Sequence, residues 1–209
     1  MTTAAPFIYP VQFAVDYPDR QLDRLSSVFR IIAIIPIAIV IWLAGGSGWF
    51  NNYGHEAVFL GGILFLAPLL MIVFRRKYPK WWFDWNVNLM KFENRVVAYL
   101  SLLRDEYPST DEEQSVHLEI PYPDVQKDLN RWLPVLKWLF AIPHYIVLVF
   151  LYVATIVVVI LTWFIILFTG RYPRGLFDFV VGVMRWSSRV WAYAFVLSTD
   201  KYPPFRLSA

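Results

Sequence analysis

The chain has 209 residues, of which 58% are hydrophobic, 19% aromatic and only 17% charged. Ordinary soluble domains carry about 25% charged residues, so this composition excludes that class and points to a membrane protein. The absence of cysteine excludes disulfides, thiolate metal sites and cysteine nucleophiles, and a net charge of +3 is mild enough that the placement of the charges matters more than their sum.

In chain order, the opening MTTAAPFIYP has no cationic n-region, and the first apolar run lacks a small-residue cleavage site, so no signal peptide is expected. Residues 9–17, YPVQFAVDY, alternate with Val11, Phe13 and Val15 on one face, which predicts a short strand ended by Tyr17-Pro18-Asp19. Residues 116–122, VHLEIPY, repeat the pattern with Val116, Leu118 and Ile120 before a second Tyr-Pro-Asp, and the two strands are expected to pair. A polar helical start follows each strand and leads into apolar sequence. In the first half residues 31–46 are uncharged, and with Leu25 to Phe29 and a snorkelling Arg30 they reach the ~20 residues that cross a ~30 Å hydrocarbon core. A Gly/Asn-rich loop and a second apolar run over residues 57–74 follow, then Arg75, Arg76, Lys77 and Lys80. Basic residues flank the outer ends and none lies in the loop, which predicts a hairpin over about residues 25–74 with both ends cytoplasmic.

The second apolar run, residues 138–170, has no formal charge and would be roughly 50 Å long as one helix, too long for one span and short for two. Arg131 and Lys137 precede it, and Arg171 and Arg174 follow. Basic residues on both flanks favour a tight or shallow hairpin over about residues 131–169, turning near Tyr152 to Thr155. Each half then ends in an amphipathic helix, over about residues 80–103 and 174–198. Two cations near the middle of each would cost about 2.5 to 3.5 kcal/mol apiece at bilayer mid-depth, so both helices are read as interfacial. An acidic linker, residues 104–115, joins the halves.

The halves read as tandem copies, residues 8–108 and 116–207, because KYPKWWFDWNVNLMKFENRVVAYLSLLRDEYPS returns as RYPRGLFDFVVGVMRWSSRVWAYAFVLSTDKYPPF. Asp84, Lys91 and Arg95 correspond to Asp178, Arg185 and Arg189, spaced i, i+7, i+11 on one helical stripe. Two readings stand: an ion-paired stripe that satisfies buried charge, or a site for anionic lipid headgroups, since two arginines one turn apart can hold phosphate. His144 is the one titratable group inside an apolar run, read either as a hydrogen-bonded structural histidine or as a proton or ligand site. With His55 and His117 it makes no metal-ligand spacing, and no P-loop, GxGxxG or GxSxG occurs. Pro36 and Pro143 occupy matching places, where they could kink the spans.

Over AIPHYIVLVFL, WFIILFTGRYPRGLFDFVVGVMRWSSRVWAYAFVL and TDKYPPF the second half resembles a bacterial membrane family catalogued as domain of unknown function 4389. The first half fits more loosely, in Lys77-Tyr78-Pro79, Phe83-Asp84, Arg95 and Ala98-Tyr99, and lacks the Thr169-Gly170 pair. The resemblance implies a multi-pass membrane protein and supplies no activity. The expectation is a mainly α integral protein of the bacterial cytoplasmic (inner) membrane with both termini cytoplasmic, each repeat a short strand, a transmembrane or re-entrant hairpin and an interfacial helix. Its expected role is non-enzymatic, an accessory or scaffold subunit of a membrane complex, the alternative being an oligomeric lipid or small-molecule binding or transport component. Membrane lipids and other integral membrane subunits, or further copies of itself, are the expected partners; no cofactor, metal or nucleic acid is expected.

Overall fold

A short ribbon ties the beginning of the chain to its middle. β1 (Gln12–Val15) pairs antiparallel with β2 (Val116–Glu119), placing Phe13 opposite Leu118 and Val15 opposite Val116. The two alternating segments therefore pair as expected, and the period of two sends Val11, Phe13, Val15, Val116 and Leu118 into the core while Ala14, His117 and Glu119 face out. A lone two-stranded ribbon is marginal in water. This one is supported from both sides by the helices described next.

The computed structural model describes residues 9–18, 21–37, 39 and 66–209. The protein is mainly helical: α1 (Arg24–Ala33), α2 (Leu66–Leu70) continuing into a π-helical turn (Met71–Arg75), α3 (Lys80–Leu100), α4 (Leu133–Phe140), α5 (Ile142–Thr169) and α6 (Arg174–Ala194). α6 packs along α5 and against β1, while α3 packs on β2. The Tyr-Pro pairs explain where α3 and α6 begin. Proline disfavours helical geometry in the residue before it, so each helix starts just after Pro79 or Pro173, both extended with ψ 129°. Beyond the far ends the chain reverses through left-handed leucines, Leu102 at φ 64° and Leu197 at φ 58°. That geometry costs a non-glycine residue about 1–3 kcal/mol. Burial of both side chains, and amide bonds from Leu103 to the Ala98 carbonyl and from Ser198 to the Ala192 carbonyl, hold the two turns.

The second half corrects the expected hairpin over residues 131–169. Tyr152 to Thr155 lie inside α5, one continuous helix of 28 residues, about 42 Å long. Its ends explain this. Pro143 sits in the first turn, where a missing amide hydrogen is tolerated, and Gly170 at φ 70° closes the other end; no glycine or proline lies between them. Pro143 follows the one-residue break at Ala141 that separates α4 from α5, and Pro36 likewise follows the break at Ile34 where α1 has ended. One face of α5 is buried near its two ends, through His144 and Leu148 and through Thr162 and Ile166, and is half-buried between them. Its other face is uncovered and apolar: Ile146, Val149, Phe150, Val153, Ile156, Val157, Ile160 and Phe164 are all exposed. With α4 this is one stretch, Leu133–Thr169, long and apolar enough to cross a membrane. Of the expected hairpin over residues 25–74, the structure describes only the two outer parts; its loop, with His55, lies outside the described residues.

Replacing Ala154-Thr155 by Asn-Gly tests the continuous helix. Mid-helix glycine costs about 1 kcal/mol, so the melting temperature in detergent should fall. An unchanged or raised melting temperature would mean that the chain reverses there.

Candidate functional site

The stripe residues do not pair with one another. Asp84 binds Lys80 one turn earlier at 2.6 Å, with both side chains well exposed. Lys91 is partly buried, and Arg95 donates Nη1 to the Ser109 carbonyl at 2.8 Å. In the second half Asp178 is exposed. Arg185 donates Nε to the Phe13 carbonyl of β1 and Nη1 to the Leu207 carbonyl of the C-terminal tail, both at 2.9 Å. Arg189, 1% exposed, donates to the Arg206 carbonyl at 3.4 Å and stands over the Tyr9 ring. The ion-paired stripe is therefore corrected: the arginines engage backbone carbonyls of elements distant in sequence, because α3 and α6 present them to the ribbon, the linker and the tail. Burial holds Arg185 and Arg189 below the usual arginine value, and repulsion from Arg185 and Arg206 lowers Arg189 further.

The tight charge pairs form elsewhere. Arg30, 2% exposed, binds Asp105 at 2.5 Å, donates to the carbonyls of Tyr99 and Arg104 at 2.6 and 3.0 Å, and lies over the Tyr99 ring. Lys137, fully buried, binds Asp200 at 2.8 Å, donates to the Thr199 carbonyl at 2.8 Å and lies over the Tyr193 ring. Each aspartate uses its second oxygen to accept a backbone amide just before the apolar helix, that of Asp23 for Asp105 and that of Asn130 for Asp200. The same groups recur in the two halves of the chain, a cation, a carboxylate and a tyrosine in each. Arg30 and Lys137 were legible only as flanking cations; aligning the halves through Pro36 and Pro143 would have matched them to each other. Their carboxylate partners lie beyond the amphipathic helices, where no local spacing points to them.

Other contacts run reciprocally between the halves. Tyr17 donates to the Tyr172 carbonyl and Tyr122 to that of Tyr78. Their rings meet Phe177 and Phe83 edge-on. Arg24 donates to the Phe168 carbonyl at 3.4 Å near the end of α5, and Arg131 to the Val73 carbonyl at 2.7 Å in the π-helical turn.

His144 is fully buried. Its Nδ1 accepts the Trp186 indole hydrogen at 3.0 Å, its ring stacks on Phe205 at 4.0 Å, and Nε2 has no partner among the described residues. His117 reaches Asp16 at 3.1 Å on the exposed edge of the ribbon. Among the described residues no group of three or more His, Cys, Asp or Glu could hold a metal ion.

The clusters set two expectations. Breaking a buried ion pair costs about 3–5 kcal/mol, so Lys137→Met and Asp200→Asn should each lower the melting temperature, and the double variant should regain part of the loss. Strictly additive losses would show that the pair is not what holds α4 to the segment after α6. Burial pushes Glu93 on α3 from 4.5 up to about 7. Because the folded value is the higher one, the unfolded chain loses this proton first, and stability should fall as pH rises from about 4.5 to about 7. Glu93→Gln should flatten that slope in pH-dependent melts; an equal slope in the variant would assign it elsewhere.

No curated protein and no solved structure matches the chain. Residues 132–206, which run from α4 to the C-terminal tail and contain Lys137, His144, Arg185, Arg189 and Asp200, match the family model described as domain of unknown function DUF4389.

Proposed function

We propose that this protein is a non-enzymatic membrane scaffold or accessory subunit, built as two copies of one unit whose strands and capping side chains cross between the halves. The observation that carries the proposal is the uncovered face of α5. Monomeric soluble proteins rarely leave contiguous apolar patches larger than about 300–600 Å², and a helix apolar all round belongs in a core or a bilayer. Inside, the buried cations engage carbonyls and carboxylates of the chain itself, an arrangement suited to holding elements together. The recurring cation clusters and reciprocal tyrosine and arginine contacts support the two-copy reading.

The flanks argue for how α5 is seated. Cations precede and follow it, and α6 runs back along it with Ser187 beside Tyr152, the two hydroxyls 2.6 Å apart. If α5 crossed the bilayer, Arg185 and Arg189 would lie near mid-depth, at about 2.5 to 3.5 kcal/mol each on insertion scales. Laid along the cytoplasmic surface, α5 buries its apolar face in hydrocarbon and keeps both basic ends, α6 and the ribbon on the aqueous side. Both ends of α5 are then cytoplasmic. The partners are integral membrane subunits of a complex in the cytoplasmic membrane.

The chain has no cysteine, so single cysteines at Ile146, Val153 and Ile160 can carry nitroxide labels one heptad apart on the open face. In reconstituted vesicles the oxygen and nickel-chelate accessibilities should give similar shallow depths at all three. A profile deepest at Val153 and shallower at both ends would show a crossing helix, and water-like accessibility throughout would overturn membrane seating. Gentle purification from native membranes, with mass spectrometry of co-purifying chains, tests the scaffold role: stoichiometric membrane subunits are expected, and a chain that always purifies alone would overturn it.

A further inference from the structure

The turn that leads into α3 carries cations that the chain itself does not satisfy. Arg75, Arg76 and Lys77 follow one another there, all exposed, and their side chains make no hydrogen bond or ion pair among the described residues. Arg76 and Lys77 line an open cleft of about 690 Å³ between residues 76–80 and residues 122–126, a volume within the range of ligand sites, about 300–1,000 Å³. The other charges of the cleft are already engaged: Lys80 binds Asp84 at 2.6 Å, and Asp124 binds Lys127 at 3.4 Å and accepts the Gln126 amide at 3.0 Å. Arg76 and Lys77 therefore leave the cleft positive.

The turn before α6, with the same Tyr-Pro signature, is closed. Gly170 stands there in the place of Arg76; its carbonyl accepts the Leu22 amide at 2.9 Å, and a Cβ on it would stand 3.4 Å from Gln21 Oε1. Arg174, in the place of Lys80, lies over the Tyr17 ring at 4.3 Å. Both turns need left-handed backbone, φ 70° at Gly170 and φ 48° at Arg76. Glycine adopts that geometry freely and arginine does not, so the first half keeps a strained cation where the second half has glycine.

The surroundings identify what the cleft takes. Phe74 and Trp81, on either side of the turn, are 70% and 66% exposed, and Arg131 donates to the Val73 carbonyl at 2.7 Å, which ties the turn to the residues just before the apolar stretch Leu133–Thr169. Exposed aromatic rings beside unpaired cations suit the headgroup layer of a bilayer. We propose that the cleft holds the headgroup of an anionic phospholipid, its phosphate on Arg76 and Lys77. The same two cations repel an ammonium, so phosphatidylglycerol is favoured over phosphatidylethanolamine and phosphatidylcholine. The site rests on the membrane seating proposed above, and it places lipid recognition away from the arginine stripe.

The test uses the full chain in vesicles of equal parts phosphatidylcholine, phosphatidylethanolamine and phosphatidylglycerol. Gln126→Cys in the cleft and Val153→Cys on the open face of α5 each carry a benzophenone, and mass spectrometry identifies what each probe captures on irradiation. A cation at an anionic surface gives about a fivefold preference, so phosphatidylglycerol should be enriched at position 126 by that factor or more, while position 153 captures the three lipids in bulk proportion. Arg76→Gln with Lys77→Gln should return position 126 to bulk proportion; Arg171→Gln, which removes an exposed cation from the turn before α6, should not. Arg76→Gly removes the charge and relieves the left-handed geometry, so it keeps the test open if the double variant does not fold, and it should lower the enrichment about fivefold. Bulk proportion at position 126, enrichment unchanged in the cleft variants, or enrichment abolished by added inorganic phosphate overturns the headgroup site. Capture of residues 104–115 of another copy in place of lipid overturns it in favour of the acidic linker. Lipid at position 153 with none at position 126 overturns the cleft alone, whereas no lipid at either overturns the membrane seating along with it.

Discussion

A cation buried in the last turn of a short helix is tolerable only if a carboxylate is brought to it, because an unpaired charge out of water costs several kcal/mol. Arg30 and Lys137 impose this condition in the two halves, and Asp105 and Asp200 meet it. Both aspartates lie just beyond an amphipathic helix, after a left-handed leucine that turns the chain back. Satisfying the Lys137 charge therefore brings the segment after α6 to the last turn of α4. With Gly170 turning the chain between α5 and α6 at their other ends, the two helices are held side by side. The tyrosine beneath each cation, Tyr99 or Tyr193, adds a π face and a buried apolar body to the same anchor.

The remaining cations serve the distant backbone. Arg185 holds β1 and the tail together, and Gly182 lets the tail approach α6, since a Cβ there would stand 2.8 Å from that of Leu207. The same tail carries Phe205 onto His144, so the one histidine within the apolar run lies among aromatic rings. Most of the buried polar groups thus point inward to one another or to the main chain. Large apolar side chains face outward from α1 and α5, the reverse of what water favours.

That inversion is the observation on which the proposed membrane seating rests. In that proposal α5 shows hydrocarbon one face and α6 the other.

Much of the secondary structure was determined by sequence alone. Alternation at Val11, Phe13 and Val15 and again at Val116 and Leu118 marked the strands, and the Tyr-Pro pairs with helical spacing marked α3 and α6, because these signals depend on neighbouring residues. That the 138–170 run is long and apolar enough to cross a membrane followed from composition. Its path did not: length and flanking charge suggested a turn, whereas the helix runs unbroken with His144, Leu148, Thr162 and Ile166 packed, and that packing exists only where α1 and α6 lie against it. The i, i+7, i+11 spacing likewise placed Asp178, Arg185 and Arg189 on one stripe, but it could not say what they meet. Whether an arginine binds an aspartate on its own helix or a carbonyl from the chain's first strand depends on which surfaces are brought together, and that is decided by long-range burial of charge and apolar area, to which local spacing is blind.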